Sequence, residues 1–224
     1  VICTNLTTIK EKIIAAAQGC NRDPDDVRLV AVSKRMEVDL IQQACDCGQT
    51  LFGENYLQEA KGKINQLDKK LKWHFIGHLQ SNKARQAAEL FQVIETVDRL
   101  KIARLLDKYA GELGKKLDIL VQVNIAGEQQ KAGISPEKIR ELLTNTSGLI
   151  NLQVRGLMVI PPFTNTPEDS RHWFRKVKQL SVDLAQKELF HKNESVELSM
   201  GMSGDFTVAI EEGATLVRVG TAIF

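Results

Sequence analysis

No stretch of this 224-residue sequence stays apolar for anything near the roughly 18 residues that a membrane helix needs. Charge does not gather either. The 30 basic and 28 acidic side chains are mixed along the chain, leaving no block that would track a nucleic-acid backbone. Lys61, Lys63, Lys69, Lys70 and Lys72 form only a loose run, which reads as the solvated face of a helix and its exit. The four cysteines, Cys3, Cys20, Cys45 and Cys47, lack zinc-site spacing, and no histidine joins a cysteine and carboxylate in a ligand pattern, so no metal is expected. Cys45 and Cys47 stand two apart on an apparent helix and face different ways, which leaves all four as expected free thiols in a reducing compartment. Lys10, Glu11 and Lys12 interrupt the region that a signal peptide keeps apolar. Repeats, low-complexity tracts and linkers are lacking. Together these absences point to a single cytoplasmic domain over residues 1–224, with neither membrane nor nucleic acid as partner.

What the chain does have is alternation. Leu6, Ile9, Ile13 and Ala17 fall at helical spacing within Thr4 to Gln18, so the chain opens with an amphipathic helix that Gly19 stops. Eight short apolar runs follow: Arg28 to Ser33, Thr50 to Gly53, Lys72 to Gly77, Gln92 to Val97, Leu117 to Val123, Leu152 to Ile160, Val196 to Met200 and Thr215 to Phe224. Helical periodicity separates many of them, over Val38 to Cys47, Leu57 to Leu67, Arg99 to Leu113, Pro136 to Leu143 and Glu168 to Leu189. A strand–helix alternation returns each strand to the same end of a parallel sheet, and eight such units in this length predict an α/β fold, a (β/α)8 TIM barrel with a leading N-terminal helix. No helix follows the last strand, and the leading helix is expected to fill that slot.

In such a barrel the strands' C-terminal ends carry function. Lys34 follows Leu29-Val30-Ala31-Val32 directly, which places its amine at the barrel mouth. Partial burial there would favour the neutral amine, the form that attacks an aldehyde to give a Schiff base. A lysine snorkelling to solvent beside a carboxylate is the alternative for this position taken alone. The turn Ser199-Met200-Gly201-Met202-Ser203-Gly204-Asp205 then offers small residues, amides and hydroxyls to an anion, and the last strand adds Arg218, Gly220 and Thr221. Loops after strands seven and eight are a frequent phosphate site in this fold, although a tight turn without ligand has the same composition. An imine-forming lysine and a phosphate cradle together describe pyridoxal phosphate.

Several stretches match a known family: Leu29 to Lys34, Phe52-Gly53-Glu54-Asn55-Tyr56, Trp73 to Lys83, Arg155-Gly156-Leu157-Met158, Leu198 to Asp205, and Val217 to Phe224. The chain resembles the pyridoxal phosphate homeostasis proteins, relatives of the alanine racemase barrel that lack its second domain. The resemblance implies a fold-type III barrel with the cofactor imine on Lys34. It puts the phosphate around Ser203, Gly204, Arg218, Gly220 and Thr221, with Asn55, Ser199 and His78 near the cofactor. It also implies a role in vitamin B6 balance, supplying pyridoxal phosphate to enzymes that require it.

Three functions remain open at this point: a cofactor carrier, a weak racemase-like enzyme acting on amino acids, and a phosphate-binding barrel without cofactor. A two-base racemase needs a second proton carrier facing the lysine, which the racemase family supplies as a tyrosine. Only Tyr56 and Tyr109 exist here. Tyr109 falls in an outer helix, and Tyr56 is expected to pack at the start of the helix after strand two. A non-catalytic carrier with no catalytic residue, working as a monomer and releasing its cofactor by imine exchange, is therefore the leading expectation. Lys131, in the loop Gly127 to Gly133, is a candidate helper for that exchange or simply a solvated loop charge. His74 is expected to be a hydrogen-bonded core residue.

Overall fold

The computed structural model describes residues 1–128, 130–191 and 195–224. A leading helix α1 (Ile2–Gly19) precedes β1 (Arg28–Val32), α2 (Val38–Asp46), β2 (Leu51–Glu54), α3 (Leu57–Ile64), β3 (Lys72–Phe75), α4 (Ala84–Leu90) and β4 (Val93–Val97). The second half runs α5 (Leu100–Glu112), β5 (Leu117–Val123), α6 (Pro136–Thr146), β6 (Leu152–Val159), α7 (Arg171–Ala185), β7 (Glu197–Ser199), α8 (Phe206–Glu211) and β8 (Leu216–Val219). Neighbouring strands pair in parallel in chain order, and β1 closes the ring on β8 with Val30 opposite Arg218 and Ala31 opposite Val219. The expected TIM barrel is the fold observed.

Two-residue alternation sorts the strand side chains into two cores. Val30, Leu51, Val93, Leu120, Met158 and Leu216 form a cluster inside the barrel, while Leu29, Ala31, Phe52, Trp73, Val217 and Val219 join the larger layer between sheet and helices. α1 buries Leu6, Ile9, Ile13 and Ala17, the face read from spacing, together with Ile2. Full burial of a leucine or isoleucine stabilises by about 1.5–3 kcal/mol, which fixes this helix against the ring. It packs on α8 and α2, and Asn5 Nδ2 donates to the Ile223 carbonyl at 2.9 Å. The slot expected to be vacant after β8 is thus filled by α1.

Some boundaries move. β8 stops at Val219, and Gly220 to Ile223 turn over the barrel mouth, where the Ile223 amide donates to the Gly220 carbonyl at 2.7 Å. α7 begins at Arg171 after a 3-10 turn over Pro167–Ser170, and α3 ends at Ile64 rather than Leu67. The seven-residue α4 was missed because two turns are too few to establish a period.

The cysteine expectation is corrected. Cys3 on α1 and Cys47 at the end of α2 are joined by a disulfide, with Cα atoms 5.4 Å apart, while Cys20 and Cys45 are free. The spacing argument compared sequence neighbours, whereas this pair is 44 residues apart and meets because α1 lies against α2. Cysteine content therefore gives no support for a reducing compartment. Among the described residues no helix is long and apolar enough to cross a membrane.

Candidate functional site

The ends of β1, β2, β3, β6 and β8 and the loop after β7 surround a cavity of about 300 Å³. Lys34, Asn55, Ser203, Gly204, Arg218, Gly220 and Thr221 line it, so seven of the nine expected site residues come together. Val32, Ile76, Met158, Ile160 and Met202 supply its apolar wall. The volume falls at the lower end of the roughly 300–1,000 Å³ usual for small-molecule sites.

Two expected residues lie elsewhere. His78 is exposed and outside the lining, because the chain leaves β3 with Ile76, not His78, turned to the cavity. Ser199 is fully buried beneath the lining, bonded to Arg218. Lys34 itself is exposed at the mouth in a turn after β1, so the argument from partial burial does not apply to it.

Beneath the cavity a chain of buried polar groups crosses the barrel from β3 to β8. His74 Nδ1 and Glu95 Oε1 are 2.6 Å apart, Ser199 Oγ donates to Glu95 Oε2 at 2.5 Å, and Arg218 NH1 donates to Ser199 Oγ at 2.6 Å. Arg218 NH2 donates to the Val159 carbonyl at 2.7 Å, which fixes the guanidinium plane. Burial works against the Glu95 charge, but the bond and charge of His74, the Arg218 charge and the Ser199 hydroxyl hold its carboxyl below the usual range. Burial pushes the Arg218 guanidinium down from its ordinary value, opposed by the charges of Glu95 and Asp205. His74 is the hydrogen-bonded core residue it was expected to be. Glu95 was not singled out, although one carboxylate within Val93-Ile94-Glu95-Thr96-Val97 is a visible signal of a paired interior charge.

One side of the cavity is built from two loops. Ser203 and Thr221 bring their hydroxyls to 3.3 Å of each other. Among the described residues the amides of Ser203, Gly204 and Thr221 make no hydrogen bond within the protein, which leaves them available to an anion. Gly201 must be glycine: its φ is +92°, and a β-carbon there would lie 2.6 Å from that of Ala209. Across the mouth, Asn55 Oδ1 is buried without a hydrogen-bond partner. Its orphaned oxygen is a group for a ligand to satisfy, since leaving a buried acceptor unpaired costs about 1–3 kcal/mol. A hydroxyl-bearing, phosphorylated ligand with an aldehyde suits this donor set, so the residues present fit pyridoxal phosphate.

The remaining candidates sit to one side. Tyr56 stands at the N-terminal cap of α3, half exposed and outside the lining, and Tyr109 on α5 faces the cations of Arg85 and Lys108. Lys131 pairs with Glu128 at 2.6 Å, donates to the Pro161 carbonyl at 3.1 Å, and lines a neighbouring cavity with Ile160 and Phe163. Residue 129 of its loop lies outside the described residues.

Comparison with known proteins gives the architecture its relatives. The family model for the alanine racemase N-terminal domain matches residues 4–224. A pyridoxal phosphate homeostasis protein of Vibrio alginolyticus is 45% identical over 226 residues, covering 98% of this chain and 95% of that protein. The chain belongs to the pyridoxal phosphate homeostasis protein family. The family member of Escherichia coli strain K12 is 43% identical over 229 residues, covering 100% of this chain and 95% of its own length. PipY of Synechococcus elongatus PCC7942, solved with PLP bound, superposes with a TM-score of 0.87 at 37% identity and full coverage of both chains. An alanine racemase of Clostridium difficile shares the fold alone, with a TM-score of 0.72 at 13% identity over 96% of this chain and 59% of the racemase.

Proposed function

We propose that this protein binds pyridoxal 5'-phosphate in vitamin B6 homeostasis, holding it as a Schiff base on Lys34 and releasing it by imine exchange. One observation carries the reading: a single cavity gathers a primary amine, an orphaned buried acceptor on Asn55, and a two-loop hydroxyl and amide cradle. When bound, the cofactor supplies an aldehyde that condenses with a lysine amine with loss of one water, and the reverse or an exchange with another amine frees it.

The chain's own residues divide the remaining tasks. Ser203, Gly204, Gly220 and Thr221 hold the phosphate, Asn55 satisfies its oxygen against the ligand, and Arg218 provides donors at the floor. Exposure of Lys34 gives incoming amines and water a route to the bond, which suits a carrier that hands cofactor to pyridoxal-requiring apo-enzymes as a cytoplasmic monomer. Neither tyrosine is in the lining to serve as a second proton carrier.

The deciding experiment is a visible spectrum of the protein with pyridoxal phosphate, followed by borohydride reduction and mass mapping, for the native chain and Lys34→Ala. A reducible imine band mapped to Lys34 and lost in the variant is the expected result. Native protein that forms no adduct under these conditions overturns the reading.

A further inference from the structure

Both peptide groups flanking Lys34 are held by one face of α3. On one side, Lys63 Nζ donates to the Ser33 carbonyl oxygen at 2.7 Å. On the other, the Arg35 amide donates to Glu59 Oε2 at 2.9 Å. Glu59 and Lys63 are four residues apart, the spacing that stacks side chains on a helix face, and they approach each other at 3.4 Å. Glu54 at the end of β2 completes the group, with Oε1 accepting from Lys63 Nζ at 2.8 Å and from Ser33 Oγ at 2.7 Å.

The arrangement is costly as a mere stabiliser. Lys63 and Glu54 are both buried, and an ion pair withdrawn from water is weak evidence of net stability because desolvation offsets its attraction. Arg35 has φ of +62°, a backbone conformation that side chains other than glycine rarely adopt and that persists only where surroundings enforce it. Neither Glu59 nor Lys63 lines the cavity, and each reaches the turn through its backbone.

We infer that Glu59 and Lys63 are positioning residues that clamp the turn so that the Lys34 side chain starts from a fixed backbone position at the edge of the cavity. This inference rests on Lys34 being the residue that bonds the cofactor. The main-chain bonds at Ser33 and Arg35 hold the backbone on both sides of Lys34, so its side chain leaves the turn from a fixed Cα position and direction. Amine and aldehyde then meet in a restricted geometry, and misplacement of a reacting group by about 1 Å costs up to a hundredfold in rate.

The test follows imine formation with pyridoxal phosphate by stopped-flow absorbance in the full chain, for native protein, Glu59→Ala, Glu59→Gln and Lys63→Met. The second readout is amide hydrogen exchange at Arg35, recorded by NMR without cofactor. The Glu59 side chain is 37% exposed, so its variants keep the fold available even if the buried Lys63→Met does not. Glu59→Ala should slow imine formation about tenfold and speed Arg35 exchange by a similar factor. Glu59→Gln, whose amide oxygen still accepts from Arg35, should stay within about twofold in both. Native rates of imine formation in Glu59→Ala, or unchanged Arg35 exchange, overturn the clamp. If native protein modifies no Lys34 at all, the cofactor reading fails instead, and the exchange arm still reports on the turn.

Discussion

Glu95 and Arg218 never touch, yet Ser199 joins them: its hydroxyl donates to the carboxylate at 2.5 Å and accepts from the guanidinium at 2.6 Å. A neutral side chain thus relays between two buried charges, with His74 completing the far end.

Removing the carboxylate should strand Arg218 as an uncompensated buried charge. Glu95→Ala is expected to lose roughly 3–5 kcal/mol in urea unfolding. A pH series separates charge from packing. The folded-state pKa of Glu95 lies below its ordinary value, so its stabilisation is fully present above the unfolded value and fades as pH falls through the lowered one. The stability difference between native protein and Glu95→Gln should shrink with acidification through that window, and a difference independent of pH would contradict the relay.

The two-loop cradle makes a prediction about phosphate alone. A Ser203→Ala, Thr221→Ala double variant should weaken pyridoxal phosphate binding at least about tenfold, the loss expected for one or more charge-assisted hydrogen bonds. Binding of unphosphorylated pyridoxal should be unchanged. Paired fluorescence titrations read this, and equal losses for both ligands would move the phosphate elsewhere in the cavity.

The Cys3–Cys47 bond can be counted. Denatured protein should titrate two thiols without reductant and four after reduction. Because the bond spans 44 residues, Cys3→Ser should lower stability by roughly 2–4 kcal/mol. Four thiols in unreduced protein would show that α1 and α2 are held by packing alone.

Much of this was visible in the sequence, for a definite reason. Lys34, Asn55, Ser203 and Gly204 each stand just beyond an apolar run, and a barrel converts that local position into a shared end. Residues whose role depends on cross-barrel partners were harder. Glu95, His74 and Ser199 lie on three separate strands, and nothing local says that they meet. The clamp was hidden similarly: Lys63 was absorbed into a loose basic run read as solvated, yet it is buried. His78 lies outside the cavity lining because a strand's end fixes where the chain leaves the barrel but not which side chain turns inward.

The pairing of β1 with β8 brings together residues nearly 190 positions apart, from Arg28 opposite Leu216 to Ala31 opposite Val219. Lys34 lies just past one side of that seam and Arg218, Gly220 and Thr221 on or just past the other. The cavity therefore does not exist in a nascent chain until its last strand has been made and docked, the slowest kind of contact for a chain to form. A ligand that binds across the seam stabilises the closed ring by an amount that grows with the logarithm of its concentration, so ligand supply and barrel closure are thermodynamically linked.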